Sequence, residues 1–343
     1  MLEKTENKFP FTHKSNNERF ETARQGGFSY QHNFLATALI IVDGALAPET
    51  ETRSECTYTR NVRLHARARI TILMNQVEFS LPKTPTFDVG QTLDCGQVFR
   101  FVQEGNAFKV CAKNHMAQIT DLGNEYIVKC DDKDFFEKYF DFDTDYAAIQ
   151  QRFSDGGFVS EAIEYGKGIH ILRQDPIEAI FSFIISQNNH IPRIKGIIER
   201  ICNALGEDMG EYHAFPSVRS LASVGEDFYA SIGAGYRAAY LDRVAKTMLE
   251  QNVDEWQKLS TPDLRAKLLS LYGVGRKVAD CALLFGFSRF DVFPVDTWIK
   301  KAFESEYDGV APEKMSDLLV QKYGEYAGFV QQWAFYYKRA KKV

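Results

Sequence analysis

Lys277, Cys281 and Asp296 carry the side chains of this sequence best suited to covalent and acid–base chemistry. The first two lie in LYGVGRKVADC (271–281), and the third closes the run DVFPVD (291–296). Cys281 follows Lys277 by four residues, which on a helix puts the thiol and the amine on one face. Asp296 arrives nineteen residues after the lysine, once that helix has ended near Phe287 and the chain has turned. Amine, thiol and carboxylate can therefore converge. The placing of the lysine is itself unusual, because the first turn of a helix is its positive end and disfavours a cation.

What must position these groups is a helix, a tight turn and a second helix. KLLSLYGVGRKVADCALLFGF reads in that order, with Gly273 and Gly275 free to take positive φ and to let the backbone come close to a partner. The unsatisfied N–H groups that open the second helix form an anion site suited to phosphate. A dinucleotide fold is a poor reading of G-V-G-R-K-V, since the third glycine is missing and a helix rather than a strand precedes it. GAGYRAA (233–239) is an equally poor fingerprint. Taken alone, the hairpin leaves a plain helix–turn–helix corner open.

Around this hairpin the periodicity divides the chain. From Val77 to Cys130 it is two, with FRFV, FKVCA, AQIT and EYIVKC separated by Gly and Asn, which predicts short antiparallel strands. From about Asp131 onward the period is helical. DPIEAIFSFIISQ (175–187) has Asp175 as N-cap, Pro176 at the first helical position and Glu178 three residues after the cap, the pattern of a capping box. TPDLRAKLLSLYG (261–273) repeats that grammar, with Thr261 as cap, then Pro262, and Gly273 past the end. The expected fold is α+β. An antiparallel β-sheet domain with a flanking helix occupies residues 74–155, and an all-helical body with the hairpin occupies 156–343.

Residues 1–73 differ from the rest. They are polar, rich in Asn, Thr, Arg and Glu, with one apolar island, FLATALIIV (34–42). The ALA at 45–47 invites a signal-peptide reading, but the leader is long and mixed in charge, and Asp43 cuts the apolar run short. The segment reads as a disordered extension, or as sequence upstream of a working start at Met74. No stretch is long enough to span a membrane. Six scattered cysteines, with no C-x-x-C pair and no histidines at zinc spacing, argue against a disulfide framework or a structural metal. The net charge of -5 hides a division: acids crowd 121–164, whereas 236–301 and the terminal KRAKKV are basic. An anionic partner is therefore compatible with the total charge.

GVGRKVADC followed by PVD resembles the helix–hairpin–helix DNA glycosylases, and specifically the 8-oxoguanine DNA glycosylase/AP lyase family. The likeness extends through CGQVFRF, DPIEAIFSFIISQNNHIPRI, GYRAAY and YAGFVQQWAF, from about Val77 to the C-terminus. It implies an enzyme without metal or cofactor that binds, as a monomer, double-stranded DNA containing 8-oxoguanine. The lesion is flipped out of the stack, excised preferentially opposite cytosine, and the abasic site is then cleaved. In that mechanism Lys277 is the nucleophile, and its position explains itself: the helix's positive end favours the neutral amine, which attacks the sugar C1′. Asp296 stabilises the positive charge that develops on the sugar and assists proton transfers. The Schiff base left on the lysine acidifies the adjacent carbon and permits β-elimination of the 3′ phosphate.

The same resemblance implies a binding site. Gly96 matches the glycine whose carbonyl accepts the N7 hydrogen that 8-oxoguanine has and guanine lacks. Cys281 and Phe335 match the pair that sandwiches the flipped base, and Gln331 the amide that reads its Watson–Crick edge. Asn188 matches the residue that enters the vacated stack and Tyr236 the wedge beside it, while Arg193 and Arg237 match the arginines that bond the orphaned cytosine. The sequence departs from the animal members at Trp298, where a histidine usually sits two residues after the aspartate. Endonuclease III-like and adenine-mismatch glycosylases carry four cysteines after the hairpin for an iron–sulfur cluster, and no cysteine follows Cys281. Alkylbase glycosylases keep the aspartate without the lysine. A non-catalytic phosphate clamp would need neither Lys277 nor Asp296. The expected compartment is the cytoplasm, on the nucleoid in a bacterium, or the nucleus in a eukaryote.

Overall fold

In the computed structural model, which describes residues 76–341, the segments of period two form five strands. They are β1 (Val77–Pro82), β2 (Phe101–Glu104), β3 (Ala107–Ala112), β4 (His115–Asp121) and β5 (Glu125–Cys130). All pairings are antiparallel, in the order β1-β5-β4-β3-β2, with Val77 opposite Cys130. Alternation decides which face is covered: Phe108, Val110 and Ala112 of β3 and Tyr126, Val128 and Cys130 of β5 point inward. Helices α1 (Val89–Asp94) and α2 (Lys133–Tyr139) close that face, adding Val89, Leu93, Phe136 and Tyr139 to one apolar cluster. Each large side chain so buried contributes about 1.5–3 kcal/mol. The extension read over residues 1–73, and the start at Met74, lie outside the described residues.

Beyond the sheet the chain is helical, as expected. The site is built by α3 (Pro176–Ser186), α4 (Ile191–Leu205), α5 (Ala238–Leu249), α6 (Thr261–Leu269), α7 (Arg276–Cys281), α8 (Thr297–Ala302) and α9 (Ala327–Lys341). The central helix is α3, whose residues from Glu178 to Ile185 are all buried. That explains why its sequence is apolar apart from the single stripe of Glu178, Ser182 and Ser186. Among the described residues no helix is long and apolar enough to cross a membrane.

Two capping expectations need correction. Asp175 does cap α3, accepting from the N–H groups of Ile177 at 2.9 Å and Glu178 at 3.1 Å. Glu178 does not complete the box. Its carboxylate accepts from the Lys113 N–H at 2.8 Å and pairs with Arg100 at 3.3 Å. A buried carboxylate needs a cation more than it needs one further amide, and here burial pushes Glu178 above the usual carboxylate range while Arg100 pulls it back. The helix α6 is capped by Ser260 rather than Thr261: the Ser260 hydroxyl accepts from the Asp263 N–H at 3.3 Å, and the Thr261 hydroxyl turns to Asp291. Both residues carry a hydroxyl, and the extended backbone of Ser260 selects it as the half-in position.

Candidate active site

The hairpin between α6 and α7 is set by one glycine more than by the other. Gly273 has φ +79°, and a Cβ built there would lie 2.3 Å from the ring of Tyr240, so a side chain is excluded twice. Gly275 has φ −89° with an extended ψ, which any residue adopts, so the positive φ read from the sequence applies only to Gly273. What Gly275 supplies is bareness. Apart from Gly275 and its two chain neighbours, no atom of the described residues lies within 4 Å of where its Cβ would be, at the N-terminal end of α7 where the first N–H groups have no partner within the helix. The helix runs on from Cys281 into one π-helical turn, Ala282–Gly286, and ends at Phe287.

Lys277 stands in the first turn of α7, half-buried, with its Nζ 5.3 Å from the centre of the Phe183 ring on α3. An aromatic face beneath an amine confines it without offering a competing hydrogen-bond acceptor. Cys281, one turn on, is buried. Burial pushes its thiol up to about 11, opposed by Lys277 and reinforced by Asp296, so at neutral pH it remains an uncharged surface for packing. Asp296 is the N-cap of α8: its Oδ1 accepts from the N–H groups of Trp298 and Ile299, each at 2.9 Å. Burial raises the Asp296 carboxyl above its ordinary value, and those amides together with Lys277 hold it down. Lys277 and Asp296 thus pull the Cys281 thiol in opposite directions, and Lys277 lowers the Asp296 carboxyl.

Gly96 packs against Phe335 of α9, and Gln331 lies one turn earlier on the same helix. Gly96 has φ +89°, and a Cβ there would come within 3.1 Å of the Phe335 ring. Its neighbours are pinned. The Gln332 amide donates to the Cys95 carbonyl at 3.0 Å, and Gln97 donates to Thr92 and His170 while accepting from Leu172. Gln331 is buried with its Oε1 lacking any partner among the described residues.

The third group surrounds the loop after α3. Asn188 is exposed at φ +45°, in a left-handed conformation that Asn tolerates better than most residues. The carbonyls of Gln187 and Asn188 are both held by Arg237, which also donates to Ala234 at 3.2 Å and is only 2% exposed. Tyr236 lies open beside it, 53% exposed, with its hydroxyl donating to the Gln187 carbonyl at 3.1 Å. The two arginines named from the sequence therefore differ. Arg193 is exposed with one donor to the Gly233 carbonyl, whereas Arg237 organises the loop that bears Asn188. Gln187, not singled out from the sequence, joins the groups: its side-chain amide donates to the Gly273 carbonyl at 3.2 Å, tying the Asn188 loop to the hairpin. Its place in SQNN next to Asn188 was the available signal.

Comparison with known proteins fits this geometry. Residues 80–180 match the family described as 8-oxoguanine DNA glycosylase, N-terminal domain, and residues 181–321 match the HhH-GPD superfamily of base excision DNA repair proteins. The chain is 31% identical to a probable N-glycosylase/DNA lyase of Methanothermobacter thermautotrophicus over 60% of its own length and 72% of that protein. It is 31% identical to the N-glycosylase/DNA lyase OGG1 of Arabidopsis thaliana over 51% of its own length, and spans about half (53%) of that relative. Among solved structures, the 8-oxoguanine glycosylase/lyase of Clostridium acetobutylicum, bound to double-stranded DNA containing cytosine opposite 8-oxoguanine, superposes with a TM-score of 0.71. That match has 35% identity and covers 75% of this chain and 93% of the other.

Proposed function

The chain belongs to the 8-oxoguanine DNA glycosylase/lyase family, and on that footing we propose that it excises 8-oxoguanine from duplex DNA, fastest opposite cytosine, and then cleaves the strand. The Lys277 Nζ attacks C1′ of the flipped nucleotide, the C1′–N9 bond breaks, and the electron pair leaves with the base, which takes up a proton. Asp296, ionised, stabilises the positive charge that builds on the sugar. After the ring opens, the lysine holds C1′ as an iminium, C2′ gives up a proton, and the C3′–O bond breaks with the phosphate leaving on the downstream strand. Gly96, Cys281, Gln331 and Phe335 receive the base. Asn188, Tyr236 and Arg193 meet the gap and the orphaned cytosine, with Arg237 holding their loop. The exposed N–H groups after Gly275 take a phosphate. The protein works as a monomer on DNA, in the cytoplasm or nucleus according to the cell.

The observation that carries this reading is a lysine in the first turn of α7, one turn before the buried Cys281, in a chain that also supplies Asp296 as the N-cap of α8. Borohydride reduction during reaction with an 8-oxoguanine:cytosine duplex is expected to trap a covalent protein–DNA adduct, and Lys277→Gln is expected to abolish it. Efficient trapping by the variant would transfer the nucleophile's role to another amine.

A further inference from the structure

The face of α9 that carries Gln331 and Phe335 continues one more turn to Arg339, at i, i+4 and i+8. Two polar atoms on this face are buried without any partner among the described residues: the acceptor Gln331 Oε1 and the donor Arg339 Nη1. Buried polar groups are nearly always paired, so an orphaned acceptor and an orphaned donor on one face describe the outline of something that supplies both.

The position of Arg339 is defined closely. Its guanidinium lies 5.5 Å from the centre of the Phe335 ring, and Nη2 donates to the Asp94 carbonyl. A Cβ built on Gly96 would lie 2.8 Å from Nη1 and 3.1 Å from Phe335, so guanidinium tip, ring edge and bare backbone meet at one point. Pairing with the Asp94 carboxylate does not account for this placement. That contact is 3.8 Å long, Asp94 is 69% exposed, and it leaves Nη1 unused.

We infer that Arg339 is a specificity-determining residue of the base pocket, donating from Nη1 to the carbonyl oxygen on C8 of an oxidised purine. The inference rests on the reading of Gly96, Gln331 and Phe335 as that pocket. A guanine ring offers N–H donors along its Watson–Crick edge for Gln331, and its five-membered ring then reaches toward Gly96. In 8-oxoguanine the atom next to the N7–H is C8, and its oxygen is the lesion's second difference from guanine. A cation placed beside Gly96 meets that oxygen, so one end of the pocket reads both changes.

The test compares duplexes with 8-oxoguanine or 8-thioguanine opposite cytosine. Both keep the N7–H, while sulfur accepts hydrogen bonds poorly. Single-turnover excision with enzyme in excess is expected to favour the oxo lesion, and Arg339→Met is expected to shrink that preference by ~10-fold or more, the loss of one charge-assisted hydrogen bond. Arg339→Lys, which retains a donor, is expected to restore part of it. A ratio unchanged in Arg339→Met, whether or not both rates fall, overturns the inference. Failure of the unaltered protein to release either base overturns the 8-oxoguanine reading itself.

Discussion

Asp280 holds Arg276 from one turn further along α7, with Oδ2 accepting from the Arg276 Nε at 2.8 Å. Its other oxygen accepts from the Arg265 Nε of α6 at 2.7 Å, and the carboxylate is fully buried. One side chain therefore clamps both helices of the hairpin. Ser316, 3.4 Å from the same carboxylate, also donates to the Phe293 carbonyl three residues before Asp296. Removing one member of a buried charge cluster leaves the others uncompensated. Asp280→Asn is expected to lower stability by about 3 kcal/mol, read from the denaturant midpoint. A midpoint unchanged from the parent would show that the two arginines find water instead.

Asp296 caps a helix and faces Lys277, and the two duties can be separated. Asn caps about as well as Asp, so Asp296→Asn is expected to keep the melting temperature within a few degrees, while excision slows by about 100-fold or more. Because burial raises this carboxyl, the acid limb of the pH–rate profile is expected above the ordinary aspartate value of 3.8. A profile flat down to that value would remove Asp296 from the rate-determining chemistry.

Arg193 and Arg237 should part company in assays. Guanidinium groups donate only, and beside its amino group an orphaned cytosine presents two adjacent acceptors, N3 and O2, whereas adenine's edge presents N1 alone beside its amino donor. Excision opposite cytosine is expected to exceed that opposite adenine by about tenfold. Arg193→Ala, which alters an exposed donor, is expected to flatten the preference with the fold intact. Arg237→Ala is expected to lower stability as well, since the carbonyls of Gln187, Asn188 and Ala234 all lose its guanidinium. Equal rates opposite both bases in the unaltered protein would confine Arg193 to the DNA backbone.

His170 predicts a pH dependence of stability. Its Nδ1 donates to the Phe140 carbonyl at 2.8 Å, its ring stacks on Tyr146 at 3.8 Å, and burial lowers it from 6.5 to about 4. Between those values the unfolded chain binds a proton that the folded one refuses. Stability should therefore fall as pH drops from 6.5 toward 4, by at most about 1.4 kcal/mol per unit from this group. His170→Asn keeps a donor for Phe140 but cannot titrate, so its unfolding midpoint should vary less between pH 7 and 5. Parallel curves for the two proteins would assign the acid sensitivity elsewhere.

Local rules made much of this molecule legible. Period-two runs became strands, and Asp175 and Pro176 opened α3. The misses arise where a distant partner outbids a near one. Glu178 has the position of a capping-box residue, but Arg100, 78 residues away, takes its carboxylate. Arg237 is matched to a cytosine-binding arginine, and its burial against the carbonyls of Gln187 and Asn188, fifty residues earlier, is a feature that spacing does not disclose. Arg339 follows Phe335 at helical spacing, yet only the packing against Gly96 distinguishes it from the other cations of the terminal KRAKKV.

The grip of Arg237 on the Asn188 loop bears on how a protein of this kind searches a long polymer. A loop that became ordered only on meeting DNA would lose conformational freedom at each encounter, of the order of 1–2 kcal/mol per residue. Here two consecutive carbonyls are already held, and the positive φ at Asn188 is imposed before any partner arrives. The ordering is completed once, at folding. If Asn188 enters the stack as proposed, the loop meets each base pair already ordered, and the time spent at an undamaged site would be set by the stacking of the DNA rather than by rearrangement of the protein.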